Sequence, residues 1–93
     1  MILYRIYVGL EDNQKRQYTI KEFRNIVDKY LKEYTLIPSY GIWEGKHEPS
    51  IIIEKISHFP SSTFTQLIVQ LKRKLNQEVI ILTEQPLKEV YYV

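Results

Sequence analysis

Six consecutive residues, Trp43-Glu44-Gly45-Lys46-His47-Glu48, concentrate the chemistry of this chain. His47 between Glu44 and Glu48 has the make-up of a general base oriented by a carboxylate, so His47 and Glu48 are the candidate catalytic pair. Trp43 beside Lys46 and His47 has instead the make-up of a capture site for a planar anion. An indole face stacks on a base for about 1–3 kcal/mol, and an ammonium pairs with a phosphate or carboxylate. Tyr7 and Arg5 near the N-terminus join Trp43, Lys46 and His47 as candidate ligand-binding residues.

Other chemistries are excluded by what the chain lacks. It has no Cys, and its two histidines, His47 and His58, share no ligand spacing, so neither a metal site nor a cofactor is expected. No Ser or Thr occupies a nucleophile-elbow context, and the three glycines form no phosphate-cradling loop.

The elements that must position these residues are readable. Ile2 to Val8 alternates apolar and mixed positions and ends at Gly9, which reads as a half-buried strand. A polar loop follows, and then a helix start: Thr19 and Glu22 are spaced as a capping box, with Tyr18 and Phe23 as its hydrophobic staple. The apolar stripe of this helix runs through Ile20, Phe23, Val27, Tyr30 or Leu31, and Tyr34. Strands at about 36–44 and 50–56 form a hairpin whose turn holds Gly45 and is closed by Pro49. Pro38 places the first of them at a sheet edge, because proline cannot donate to a ladder. A second helix, capped within Ser61-Ser62-Thr63, carries Phe64, Leu67, Ile68, Leu71 and Leu75 on one face and ends in Lys72-Arg73-Lys74, where cations complement the helix dipole. A last strand covers about 79–83.

The order βαββαβ predicts an α+β, ferredoxin-like fold, a four-stranded antiparallel sheet with two helices on one face. Its helix-free face is expected to show Leu3, Arg5, Tyr7, Ser50, Ile52, Glu54, Ile56, Ile80, Leu82 and Trp43. A surface that apolar is expected to be buried against a second copy, giving a homodimer or higher symmetric oligomer. At 93 residues the chain is expected to be one domain, 1–93, with a radius of gyration of about 12 Å. The net charge of +2 is spread among acids, so nucleic acid is not indicated; no stretch suits a membrane span or signal peptide, and the expected compartment is the cytoplasm.

Two resemblances add to this. Ile6-Tyr7-Val8-Gly9-Leu10 resembles the first strand of the RNA-recognition motif, which implies base stacking on Tyr7, although Ser50, Ile52 and Glu54 offer no aromatic on the third strand. The run from Gly41-Ile42-Trp43 through Gly45 and Glu48-Pro49-Ser50 to Gln77-Glu78-Val79 is similar to a family of small bacterial and phage-borne domains of unknown function, in which Glu-Pro-Ser precedes a strand and Gln-Glu opens the last one. The function expected from all of this is a non-enzymatic oligomeric module that captures a small anionic or nucleotide-like ligand, as a phage-borne protein sequestering a host signalling molecule would. The alternatives are an interface-site enzyme using His47 with Glu44 or Glu48, and a single-stranded RNA binder.

Overall fold

The computed structural model describes residues 1–12, 14–58 and 62–93. Six elements follow one another: β1 (Ile2–Gly9), α1 (Ile20–Val27), β2 (Thr35–Trp43), β3 (Lys46–Ser57), α2 (Ser62–Lys74) and β4 (Ile81–Pro86). The strands form one antiparallel sheet in the order β2-β3-β1-β4, the ferredoxin-like arrangement. Both helices cover the same face. Tyr4, Ile6 and Val8 of β1 and Ile51 and Ile53 of β3 are sealed there by Phe23, Ile26 and Val27 of α1 and by Phe64, Leu67, Leu71 and Leu75 at α2. The Tyr4 and Phe64 rings stack at 4.2 Å.

Helix α1 starts where the cap pattern places it. The Glu22 amide donates to Thr19 Oγ1 at 3.1 Å, and Tyr18 and Phe23 are buried on either side of the cap. The helix ends at Val27, earlier than the apolar stripe implied. Its continuation tightens to i−3 bonds, Lys29 N to Ile26 O and Tyr30 N to Val27 O, which turn Leu31 into the core and leave Tyr34 half-buried, donating to Asp28.

The hairpin between β2 and β3 is tighter and longer than the sequence suggested. Glu44 and Gly45 have φ of 51° and 76°, a two-residue turn whose twist matches that of the strands. Trp43 therefore pairs with Lys46 at once, and Pro49 lies inside β3 opposite Tyr40 rather than closing the turn. The β1–β3 ladder ends at Gly9 opposite Ser50, with one further bond from Leu10 N to Pro49 O at 2.8 Å, so residues 41–48 overhang the sheet as a two-stranded arm. The arm contributes to an elongated shape, 41 × 27 × 21 Å, and a radius of gyration of 13.6 Å, above the compact expectation.

The open face also needs one correction. Ile6 pairs with Leu82 and Tyr7 with Ile81, so Ile81 and Thr83 face away from the helices while Ile80 and Leu82 pack against the core. The pairing register sets these faces, since a register one residue off exchanges them; the start of β4 at Ile81, two residues after Val79, does not.

Candidate functional site

Strand pairing decides what the arm presents. In β3, Lys46, Glu48, Ser50 and Ile52 share the open face with their β2 neighbours Trp43, Gly41, Ser39 and Ile37. His47 pairs with Ile42, one residue out of phase with Glu48, and lines the same hollow. The structure thus brings Glu48, Trp43 and Lys46 to one side, and among the described residues no hydrogen bond joins His47 to Glu48. Glu44 occupies the turn itself. Arg5 lies further along the sheet, directly opposite Glu54, with its Nε donating to Glu54 Oε2 at 2.5 Å. That bond raises the Arg5 pKa above its ordinary value and commits the guanidinium within the open face.

The underside of the arm, the end of β1 and the two loops beside it enclose a hollow of about 660 Å³. Tyr7 and Trp43 give it aromatic surface, Lys15 and Lys46 stand at its rim as cations, and Glu11, Asp12, Glu48 and Glu78 contribute acids. Its floor is Gly9. A Cβ at this position would coincide with the Glu48 carboxylate and lie 3.2 Å from Gln77 Oε1. Only the missing side chain lets Glu48 fold over the end of β1.

Two acceptor oxygens therefore converge above Gly9. The Gln77 amide is oriented without ambiguity, because its Nε2 donates to Glu11 O at 3.1 Å and Leu75 O at 3.2 Å, and a flipped amide would turn its oxygen onto two carbonyls. Among the described residues no ion pair engages Glu48. A carboxylate and an amide oxygen facing one space without a donor between them make a niche for an N–H-bearing or cationic group.

The wall formed by the β1–α1 loop is held by Asp12. Its Oδ1 accepts from the amides of Gln14 at 2.9 Å and Arg16 at 2.8 Å, and its Oδ2 accepts from the Tyr18 hydroxyl at 3.3 Å. Partial desolvation opposes the charge of Asp12, but these bonds and one from Asn76 outweigh it and hold the carboxyl below its ordinary pKa. Burial, reinforced by the Asp12 charge, pushes the Tyr18 hydroxyl upward. Glu11 bridges to Gln17 and the Tyr18 amide returns to Leu10 O, so the polar loop is a miniature hairpin of its own.

Gly9 and Gln77 escaped the sequence reading as site residues. The available signal is the Gln77-Glu78-Val79 pattern, which reads in the sequence as the opening of the last strand and lies in the structure on the approach to β4. No group of three or more His, Asp or Glu among the described residues is placed to hold a metal ion, and no described helix is long and apolar enough to cross a membrane.

No protein-family model matches the chain, and no curated protein matches it significantly. Solved structures do. A phage SAM lyase in its apo state superposes with a TM-score of 0.70 at 24% identity, over 90% of this chain and 78% of that one. The periplasmic divalent cation tolerance protein CutA of Archaeoglobus fulgidus gives 0.52 at 16% identity, over 98% and 88%. A DUF3240 family protein of Shewanella baltica gives 0.52 at 14%, over 99% and 96%. The class these likenesses define is the small ferredoxin-like α+β domain.

Proposed function

We propose that the hollow under the arm takes an adenosyl sulfonium, S-adenosylmethionine, and that the chain cleaves it. The observation that carries this reading is the pair of acceptors above Gly9. A carboxylate beside an outward-aimed amide oxygen suits the ammonium of an amino-acid moiety and disfavours the anion that Trp43 and Lys46 alone suggested. Trp43 and Tyr7 offer faces for a purine, and Lys15 or Lys46 a partner for the ligand's carboxylate. The identity of the adenosyl compound is borrowed from the phage SAM lyase that shares the fold.

Cleavage is compatible with a site in which, among the described residues, no hydrogen bond joins His47 to Glu48. A sulfonium leaves as a neutral thioether, so the departing group needs no proton. The substrate's own carboxylate is a sufficient nucleophile at its γ-carbon: a C–O bond forms, the C–S bond breaks, and its electron pair stays on sulfur. The protein's part is then to hold the chain folded for attack and to exclude water, which is orientation more than acid–base work. Sequestration without cleavage remains the second reading, favoured by the same lack of an assembled base.

The sheet's open face supports an oligomer. Leu3, Ile37, Ile52, Ile56 and Ile81 form an apolar band there, Ile37, Ile56 and Ile81 being exposed, and a second copy covering it would also close the hollow.

Incubation of the protein with S-adenosylmethionine, followed by chromatography of the small molecules, tests the reading. Appearance of 5′-methylthioadenosine with homoserine lactone supports cleavage. Intact ligand released by denaturation supports sequestration, and no retained or altered ligand removes both.

A further inference from the structure

The end of α2 aims a side chain into the hollow by a device that the niche alone does not require. Asn76 takes up φ of 49°, and the Gln77 amide reaches back to Lys72 O at 3.0 Å. This six-to-one bond across a left-handed residue is a Schellman closure of the helix, and it fixes the Gln77 backbone. From there Nε2 ties Glu11 O, in the loop after β1, to Leu75 O, at the end of α2. One amide therefore joins two loops that both line the hollow, and its remaining atom, Oε1, is left facing the Glu48 carboxylate over Gly9.

We infer that Gln77 is the positioning residue of this site: it presents the second acceptor for a ligand ammonium and couples occupancy of the niche to the order of the β1–α1 loop. The inference rests on the proposed adenosyl-sulfonium reading for the ligand, but the latch itself does not. Among the described residues neither the Glu48 carboxylate nor Gln77 Oε1 takes a hydrogen-bond donor, so an ammonium entering between them gains both as partners. Bridging draws on the Gln77 amide, whose other end holds Glu11, so a bound ligand tightens the loop and a loosened loop weakens the ligand.

The test uses Gln77→Leu, which keeps bulk and removes all three hydrogen-bonding functions, and Asn76→Val, which strains the left-handed position and displaces Gln77 without altering it. Asn76→Gly, which tolerates that φ but gives up the Asn76–Asp12 hydrogen bond, measures the share of that bond alone. Without ligand, amide hydrogen exchange over residues 10–18 is expected to speed up about tenfold in Gln77→Leu, which leaves the Asn76–Asp12 bond in place, and more in Asn76→Val than in Asn76→Gly, both of which lose that bond, one lost hydrogen bond corresponding to about 1 kcal/mol or more. With S-adenosylmethionine, affinity is expected to fall at least about tenfold in the first two variants, whereas 5′-methylthioadenosine, which lacks the ammonium, changes less than about twofold. Equal losses for both compounds would make Gln77 merely structural and overturn the positioning role. Unchanged loop exchange in a folded Gln77→Leu protein would overturn the latch. If the wild type binds neither compound, the proposed ligand falls, while the exchange result still decides the latch.

Discussion

Replacing Gly9 by Ala separates the site from the fold. The new Cβ would occupy the space of the Glu48 carboxylate, so that carboxylate must leave. Folding tolerates this. Gly9 ends a strand with no left-handed φ, the displaced Glu48 atoms are the tip of a flexible, half-buried side chain next to solvent, and Gln77 Oε1, 3.2 Å from the new Cβ, has to give by only a few tenths of an ångström. Ala in extended backbone recovers roughly 0.5–1 kcal/mol of chain entropy relative to Gly, so the unfolding midpoint is expected to hold or rise slightly. Binding bears the loss. A charge-assisted hydrogen bond contributes about 1.5–3 kcal/mol, which weakens S-adenosylmethionine about 10- to 150-fold. Gly41→Ala, on β2 directly opposite Glu48, adds a methyl to the same hollow without displacing the carboxylate, since its Cβ would meet Ser50 Oγ at 3.6 Å and Glu48 O at 3.7 Å, both ordinary contacts. Calorimetric titration and thermal unfolding of both variants give the comparison. A Gly9→Ala protein that binds like wild type refutes the placement of Glu48, and one that unfolds refutes the claim that the carboxylate is free to move.

Further expectations concern scaffold, pH and assembly. Thr19→Ala removes the oxygen that accepts the Glu22 amide and is expected to cost about 0.5–2 kcal/mol in denaturant unfolding. Leu71→Ala empties a fully buried position between α2 and the sheet and is expected to cost more, about 2–5 kcal/mol. Asp12 has its pKa lowered on folding, so its contribution is complete above the unfolded carboxylate value and is lost as pH falls through the lower folded one. Thermal midpoints from about pH 6 down to about pH 2 are expected to decline less steeply in Asp12→Asn than in wild type. Ile52→Lys puts a charge in the middle of the open face, and sedimentation is expected to show smaller, still folded particles; a wild type already monomeric at tens of micromolar, roughly the range where weak dimers form, ends the assembly proposal.

Local signals carried most of the fold. The period-2 run of β1, the Thr19–Glu22 cap and the α2 stripe each lie within about a dozen residues, and each element formed where its pattern stood. The edge position of β2 followed from the missing donor of Pro38. The faces of β4 were misread because Val79-Ile80-Ile81-Leu82 is apolar at every position, which leaves the pleat without a phase until pairing with Ile6 supplies it. His47 and Glu48 alternate across the pleat of β3, so their adjacency in sequence does not by itself join them as a pair. The niche lies on a different scale. Gly9, Glu48 and Gln77 meet only through the sheet register and a helix cap, and the bond from Gln77 to Glu11 spans 66 residues. No spacing rule over a short window exposes such a meeting.

The central claim is that the hollow selects a cation through Glu48. Parallel calorimetric titration of wild type and Glu48→Gln, with S-adenosylmethionine and with adenosine monophosphate, tests it most directly, since this substitution removes the charge and keeps the shape. Wild type is expected to prefer the sulfonium, and Glu48→Gln to lose about tenfold or more of that affinity while gaining or holding affinity for the phosphate. Equal binding of S-adenosylmethionine by the two proteins, or a wild type that prefers the phosphate, would contradict the account.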